Sequence, residues 1–178
     1  ATGPLASLLI ILFMAFMIPT IYIILRNFFN EKITSVRDVE HIIGQPVMNL
    51  IYTNYYKTEA VVKDYPGSSI AESFRNLRSS LFLKSDHEKS KVILITSSQP
   101  QDGKSFVSVN LASSIAAVGY KTILLDCDLR RPTLHIKLKE NNAMGLTNFM
   151  MKKAATEEII RATSISNLDF ISAGPIIP

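Results

Sequence analysis

The sequence predicts an α/β fold with a parallel sheet and a phosphate-binding loop, preceded by one membrane-spanning helix. Three observations predict this arrangement. The segment Pro4–Leu25 is apolar and uncharged. A β-branched segment at 91–96 leads, through a polar loop, into Gly-Lys-Ser at 103–105. A second apolar segment, 122–125, runs into two aspartates. Buried parallel strands have this continuous apolar character, and ligands bind where such strands end.

The apolar segment Pro4–Leu25 is predicted to span a bilayer, and we assign residues 1–29 to this helix. A helix of that length measures about 33 Å, which matches the hydrocarbon core. A signal peptide would have a basic start and a shorter apolar part, and a buried soluble helix is seldom apolar all round. Because Arg26, Lys32 and Arg37 follow the segment and no charged residue precedes it, the residues after it are placed in the cytoplasm.

Composition narrows the classes of partner. The net charge of +4 belongs wholly to Arg26 and the residues after it. A surplus of this size fits contact with an anionic membrane or a polyphosphate ligand. It is too small to indicate nucleic acid, and the sequence has no aromatic-basic array or zinc-ligand spacing. The single cysteine, Cys127, excludes an intrachain disulfide and suits a reducing cytoplasm.

Residues 30–67 are predicted to form a polar connector. Thr34 or Ser35 could cap a short helix over 36–43, and Gly44 would end it. Four tyrosines follow, at 52, 55, 56 and 65. They are either phosphorylation targets or anchors that pack the connector against a domain.

A third region, 68–178, begins with a helix. Ser69 and Glu72 fit a capping box, and an apolar stripe follows at helical spacing. Glu72, Arg75 and Arg78 lie off that stripe at steps of three, and the first two are close enough to pair.

The centre of this region is predicted to be a right-handed βαβ unit. Its parts are a strand at 91–96, a helix at 104–118 and a strand at 122–126, with both strands buried on both faces. Weaker helices are predicted at 145–151 and 156–162, and a third strand at 168–171.

The loop before the central helix has the chemistry of a phosphate site. Backbone N–H groups converge on an anion at a helix N-terminus, and Gly103 allows close approach. Lys104 would reach the β- and γ-phosphates, and the Ser105 hydroxyl would bind Mg²⁺. Ser98 replaces the usual first glycine, so a loop that merely joins strand to helix is the alternative.

Two carboxylates lie where the second strand ends. Asp126 and Asp128 are separated by one residue, so both can point to one place. Beside a polyphosphate they would bridge Mg²⁺ or accept a proton. The alternative is that they cap the following turn. Cys127 between them is expected to be a small buried residue instead of a reactive thiol.

These motifs resemble those of the bacterial tyrosine kinases (BY-kinases) of exopolysaccharide and capsule synthesis. Residues 98–105 look like the family's Walker A sequence, with serine first and proline third. Residues 123–130 look like its Walker A′ sequence, an apolar triplet followed by D-x-D-x-R. Glu72, Arg75 and Arg78 match its E-x-x-R-x-x-R motif. Gln101 stands where the family often has glycine.

The resemblance implies a P-loop NTPase fold of the deviant Walker A/A′ subclass and ATP-dependent tyrosine autophosphorylation that controls polysaccharide polymerisation and export. It implies ATP and Mg²⁺ as cofactors, with Ser105, Asp126 and Asp128 on the metal. Catalytic roles fall on Lys104, Asp126, Asp128 and Arg130, and nucleotide contacts on Ser98, Gln101, Asp102, Gly103, Lys104, Ser105 and Phe106.

The same resemblance implies partners and a location. Glu72, Arg75 and Arg78 would contact the neighbouring subunit of a ring, whose tyrosine-rich C-terminal tail is the acceptor. A cognate tyrosine phosphatase, the polysaccharide export machinery and the bacterial inner membrane are the other partners expected; nucleic acid is not.

The family's Walker B strand and tyrosine cluster would lie beyond Pro178, and its periplasmic domain upstream. We therefore expect a fragment of a longer protein that does not turn over ATP by itself. Two alternatives share the fold. One is a partition-type ATPase with water as acceptor, which usually has a second lysine early in the loop, where this chain has Ser98, Gln99 and Pro100. The other is a non-catalytic polysaccharide copolymerase.

Overall fold

The structure, a computed structural model, describes residues 3–28, 35–83 and 90–175. The chain divides into two compact units, Ala1–Val47 and Met48–Pro178. Residues 48–67 of the predicted connector therefore belong to the second unit, which begins before the expected boundary at residue 68.

The first unit contains two helices. Helix α1, Pro4–Phe28, includes a stretch, Ser7–Arg26, that is long and apolar enough to cross a membrane and is not buried in the structure. Helix α2, Val36–Ile43, begins at Ser35, whose hydroxyl accepts a hydrogen bond from the Asp38 N–H (3.2 Å). It ends at Gly44, which has φ 68°. Both predicted ends of this helix are confirmed.

The second unit is a mixed α/β structure. Its elements are α3 (Val61–Asp64), α4 (Ser69–Leu83), α5 (Lys104–Ala116), β1 (Thr122–Leu125), α6 (Leu134–Leu138), α7 (Leu146–Met150), α8 (Thr156–Ile159), β2 (Arg161–Ala162) and β3 (Leu168–Ile171). The described strands form one sheet in the order β1-β3-β2. Strand β3 runs parallel to β1, with Thr122 opposite Leu168, and antiparallel to β2.

The segment 91–96 was expected to be a buried strand, and that prediction is wrong. The structure assigns it no strand, and Val92 is fully exposed. A strand requires a hydrogen-bonded neighbour, and no strand in the described part of the chain pairs with this segment. Strand β1 correspondingly pairs only with β3 among the described strands, and Ile123 is 53% exposed instead of buried. Of the predicted βαβ unit, the sheet holds only the second strand, and the helix packs beside it.

Local details also differ from the sequence predictions. The cap of α4 is Ser68 and not Ser69, because the Ser68 hydroxyl accepts from the Ala71 N–H (3.1 Å). Helix α8 ends at Ile159, and residues 161–162, predicted as helix, form strand β2. The predicted helix near 145–151 and the strand at 168–171 are confirmed.

Helix α5 is buried on two sides and organises the second unit. On one side Val109, Ala112 and Ala116 pack against side chains of β1, β3 and α6. On the other side Leu111 and Ile115 pack against α3 and α4. Since this helix begins with Lys104 and Ser105, its packing fixes where those two residues lie.

A fully buried amide ties α5 to the segment before it. Asn110 accepts a hydrogen bond from the Val62 N–H (2.9 Å) and donates to the Glu59 carbonyl (2.7 Å). The Val62 N–H is a buried backbone group of α3 that would otherwise lack a partner, and the Glu59 carbonyl is a half-buried group just before the helix. Asn110 therefore holds the first turn of α3 against the helix that carries the phosphate loop.

Candidate functional site

Side chains of the loop before α5 form hydrogen bonds with other residues of the same loop. Lys104 Nζ donates to the Ser97 hydroxyl (2.7 Å) and to the Gln99 carbonyl (2.9 Å). The Gln99 N–H donates to Asp102 Oδ2 (2.9 Å). The cation of Lys104 is thus held by two neutral oxygens, which are weaker partners than a phosphate oxygen. The Lys104 ammonium group would therefore exchange these partners for an oxygen of a bound phosphate.

The backbone of the loop is open for close approach. Gly103 has φ 92° and precedes the first residue of α5, and nothing lies within 4 Å of the point where a Cβ would be. Gln101, which stands at a position where the resemblance favours glycine, has φ 70°. A non-glycine residue in this region costs about 1 kcal/mol or more. The chain therefore adopts a glycine-type turn at Gln101 without having glycine there.

A contact that sequence reasoning missed links the loop to the aspartate segment. The Ser105 and Thr133 hydroxyl oxygens lie 3.0 Å apart. Thr133 follows Asp128 by only a few residues, just before helix α6. The structure therefore brings the Gly-Lys-Ser loop and the segment after the two aspartates together, as the sequence predicts, but through a residue that no motif marked.

Asp126 lies at the end of β1 and is 3% exposed. Its two carboxylate oxygens accept hydrogen bonds from the Asp128 N–H (3.1 Å) and the Leu134 N–H (3.3 Å). Burial raises the pKa of Asp126 above its usual value, and the two backbone donors oppose that rise. The carboxylate therefore fixes the backbone between β1 and α6, as the capping alternative expected, and does so from inside the site.

Asp128 is more accessible than Asp126. It is exposed and one of its oxygens accepts from the Arg131 N–H (2.9 Å). Arg130 is also exposed. Cys127 was expected to be buried, and that prediction is wrong, because its thiol is exposed between the two aspartates. Side chains alternate between the two faces of a strand, and Cys127 continues the face of Ile123 and Leu125, which is exposed in the structure.

Ser98 and Phe106, two other predicted nucleotide contacts, differ in how accessible their side chains are. Ser98 is exposed in the loop. The Phe106 ring packs edge-on against Phe74, with ring centroids 5.8 Å apart. Its side chain is partly buried against the core on the α4 side of α5, so the backbone N–H is the group of Phe106 best placed to meet a phosphate.

The predicted subunit-contact residues lie along α4 and all make contacts within the chain. Glu72 pairs with Arg75, whose Nε donates over 2.7 Å. Arg75 also donates to the Pro66 carbonyl (2.8 Å). Arg78 donates to the Ser114 carbonyl (2.6 Å) on α5. Arg78 thus has a role in packing α4 on α5, while Glu72 remains exposed.

The candidate site contains few side-chain oxygens that could bind magnesium. Among the described residues, no group of three or more His, Cys, Asp or Glu side chains is placed to hold a metal. The predicted donors are the Ser105 hydroxyl, the exposed carboxylate of Asp128 and the carboxylate of Asp126, which is buried and already accepts two backbone hydrogen bonds. Mg²⁺ is commonly bound by one or two such groups together with substrate phosphates and water. This donor set fits a metal that arrives with a nucleotide.

The chain is similar in sequence to several bacterial proteins named as tyrosine kinases. Residues 90–176 match the family model described as an AAA domain. The chain is 38% identical over 117 residues to CapB of Staphylococcus aureus, named as a candidate tyrosine-protein kinase, covering 66% of this chain and 51% of CapB. It is 28% identical over 178 residues to tyrosine-protein kinase wzc of Salmonella typhimurium, covering 91% of this chain and 25% of that protein.

Solved structures agree. The crystal structure of the chimerical protein CapA2B2 superposes with a TM-score of 0.73 at 36% identity, covering 81% of this chain and 62% of that one. The BceF tyrosine kinase domain gives a TM-score of 0.73 at 28% identity, covering 83% of this chain and 65% of that one. The chain spans about half the length of CapB, and less of wzc.

Proposed function

Because this chain belongs to the bacterial tyrosine kinase family, we propose that it forms the nucleotide-binding part of a membrane-anchored kinase that transfers the γ-phosphoryl group of ATP to protein tyrosine. One observation supports this most directly, the 3.0 Å contact between the hydroxyls of Ser105 and Thr133. It brings the phosphate loop next to the segment that carries both aspartates, so a phosphate bound at the loop meets the groups that phosphoryl transfer needs.

The loop residues would bind the triphosphate. Lys104 would leave Ser97 and Gln99 for the β- and γ-phosphate oxygens, since a charge-assisted bond is stronger than the bonds it replaces. The backbone at 101–106 would donate its N–H groups, with Asp102 holding the loop through Gln99. Ser98 would lie at the edge of this cradle.

The two aspartates would have different tasks. Asp128, exposed at the mouth of the site, would accept the proton of the incoming tyrosine hydroxyl. Asp126, buried and bonded to two backbone N–H groups, would hold Asp128 and Thr133 in place. A Mg²⁺ held by Ser105 and these carboxylates would neutralise phosphate charge, and Arg130 would add a second positive charge.

The assembly and the cellular role are proposals of the same kind. Helix α1 would anchor the kinase in the bacterial inner membrane with the second unit in the cytoplasm. Exposed Glu72, with Arg75, would contact the next subunit of a ring, and the acceptor would be a neighbour's tyrosine-rich tail. The output would be control of capsule or exopolysaccharide export, reversed by a tyrosine phosphatase.

The test is the fate of labelled γ-phosphate in the full-length protein. We expect phosphotyrosine to form, and Asp128→Asn to lower its rate on the order of 10²-fold or more while nucleotide still binds. Asp169→Asn on β3 is the matched control and should be close to wild type. Release of free phosphate without phosphotyrosine would contradict the kinase proposal and favour an ATPase, and no turnover of bound ATP would favour a non-catalytic copolymerase.

A further inference from the structure

Helix α2 has one side that is entirely apolar. Its sequence places Val36, Val39, Ile42 and Ile43 within about a third of the helix circumference, and Arg37, Asp38, Glu40 and His41 around the rest. No residue of the helix is fully buried by the described part of the chain, although Val36 and Val39 are half-buried. Ile42 is 76% exposed and Ile43 is 63% exposed.

The helix is well capped but short. Ser35 caps its start, Gly44 ends it, and the Glu40 carboxylate accepts from the Val47 N–H (2.9 Å) just beyond it. An isolated helix of eight residues is nonetheless marginal in water, even with good caps. The apolar side therefore needs something to cover it.

The chain restricts where this helix can lie. Helix α1 ends at Phe28 and α2 begins at Val36. The residues between them reach at most about 25 Å when fully extended. If α1 spans the bilayer, as its length and composition indicate, α2 stays within that distance of the membrane surface.

We propose that α2 lies in the plane of the membrane interface, with Val36, Val39, Ile42 and Ile43 directed toward the acyl chains. A helix of this length is about 12 Å long, so its apolar side is far smaller than the roughly 800 Å² per partner of a stable protein interface. A second copy is therefore a poor occupant. The membrane is a good one, because the tether to α1 keeps the helix at high effective concentration and even weak insertion is enough.

The charges of the helix make this proposal specific. Its polar side carries one arginine, Arg37, against two carboxylates, Asp38 and Glu40, so it has no surplus of positive charge. Burial of apolar side chains, and not attraction to anionic headgroups, is then the driving force. The depth of the helix should depend little on the charge of the lipid.

The test uses tryptophan as a site-specific probe, because the chain contains none. The full chain, reconstituted in phosphatidylcholine vesicles with or without phosphatidylglycerol, carries Ile42→Trp or Ile43→Trp. Arg37→Trp and His41→Trp are the matched controls on the polar side. Ile18→Trp, within the apolar span, reports correct insertion of α1.

We expect both apolar-side probes to emit at shorter wavelength and to be quenched by doxyl-labelled lipid severalfold more than the polar-side probes, equally in both lipids. Equal quenching at all four α2 positions would overturn the proposal. So would blue-shifted emission at 42 and 43 without lipid quenching, which would mean that protein covers this side. Since two separate isoleucines report on it, failure of one variant to fold leaves the test intact.

Discussion

Replacing Asn110 by alanine tests whether one buried amide holds the phosphate-loop helix in place. The substitution leaves the Val62 N–H and the Glu59 carbonyl without their partner inside the second unit. A buried backbone group left unsatisfied costs roughly 1–3 kcal/mol, and this penalty applies in full to the Val62 N–H but only in part to the half-buried Glu59 carbonyl, so we expect the free energy of unfolding to fall by about 2–4 kcal/mol. A contact to the Phe106 carbonyl (2.9 Å) is also lost, but that carbonyl is within the first turns of α5 and adds little.

The matched control is Ser113→Ala. Ser113 is equally buried on α5, but its hydroxyl donates only to the Val109 carbonyl of its own helix (2.6 Å). We expect a cost below about 1 kcal/mol, because no group outside the helix is orphaned. The assay is urea unfolding of both variants and the wild type in mild detergent, followed by far-ultraviolet circular dichroism. Equal losses for the two variants would mean that the Asn110 side chain does not hold α3 against α5.

Three further predictions concern acid titration, backbone packing and assembly. Because burial raises the pKa of Asp126, the folded state binds a proton at this carboxyl more readily than the unfolded state does. The contribution of Asp126 to stability should therefore fall as the pH rises from the ordinary pKa of 3.8 through the raised value. The unfolding free energy of Asp126→Ser should lack that pH dependence, and an unchanged dependence would show that another group causes it. Gly145→Ala should destabilise by about 2 kcal/mol or more in thermal unfolding, because its Cβ would lie 2.2 Å from the Ser172 carbonyl oxygen, whereas Gly67→Ala, with open space around it, should be neutral. Glu72→Ala should change the free energy of unfolding by no more than about 1 kcal/mol, since the ion pair of Glu72 with Arg75 is exposed. The same variant should form smaller oligomers in sedimentation. An unchanged oligomer size would show that the ion pair stabilises only its own helix.

Features set by neighbours in sequence could be predicted. The apolar length of α1, the Ser35 cap and the Gly44 stop of α2 depend on residues within a few positions, and all three are as expected. The meeting of the loop with the aspartate segment could also be predicted, because the carboxyl end of a strand is where α/β proteins place their ligands.

Features that depend on contacts between residues far apart in the sequence could not be predicted. The segment 91–96 has the composition of a buried strand, but composition does not supply the neighbouring strand that such a segment needs. The start of α3 is fixed by Asn110, which is 48 residues away from Val62. Thr133 reaches Ser105 because of the way the chain turns after Asp128, and Asp126 controls that turn through two backbone hydrogen bonds. No pattern of neighbouring residues in the sequence predicts these contacts.

We propose that a nucleoside triphosphate with Mg²⁺ binds at Lys104 and Ser105, and calorimetric titration of ATP into the chain measures this binding directly. We expect binding that weakens when Mg²⁺ is removed and that falls on the order of 10-fold or more in Lys104→Met, which removes the charge-assisted contact to phosphate while keeping side-chain length. Lys121→Met, at an exposed lysine outside the loop, should bind like the wild type. Equal affinity in Lys104→Met and the wild type would contradict the account, because the phosphates would then lie somewhere other than at this loop.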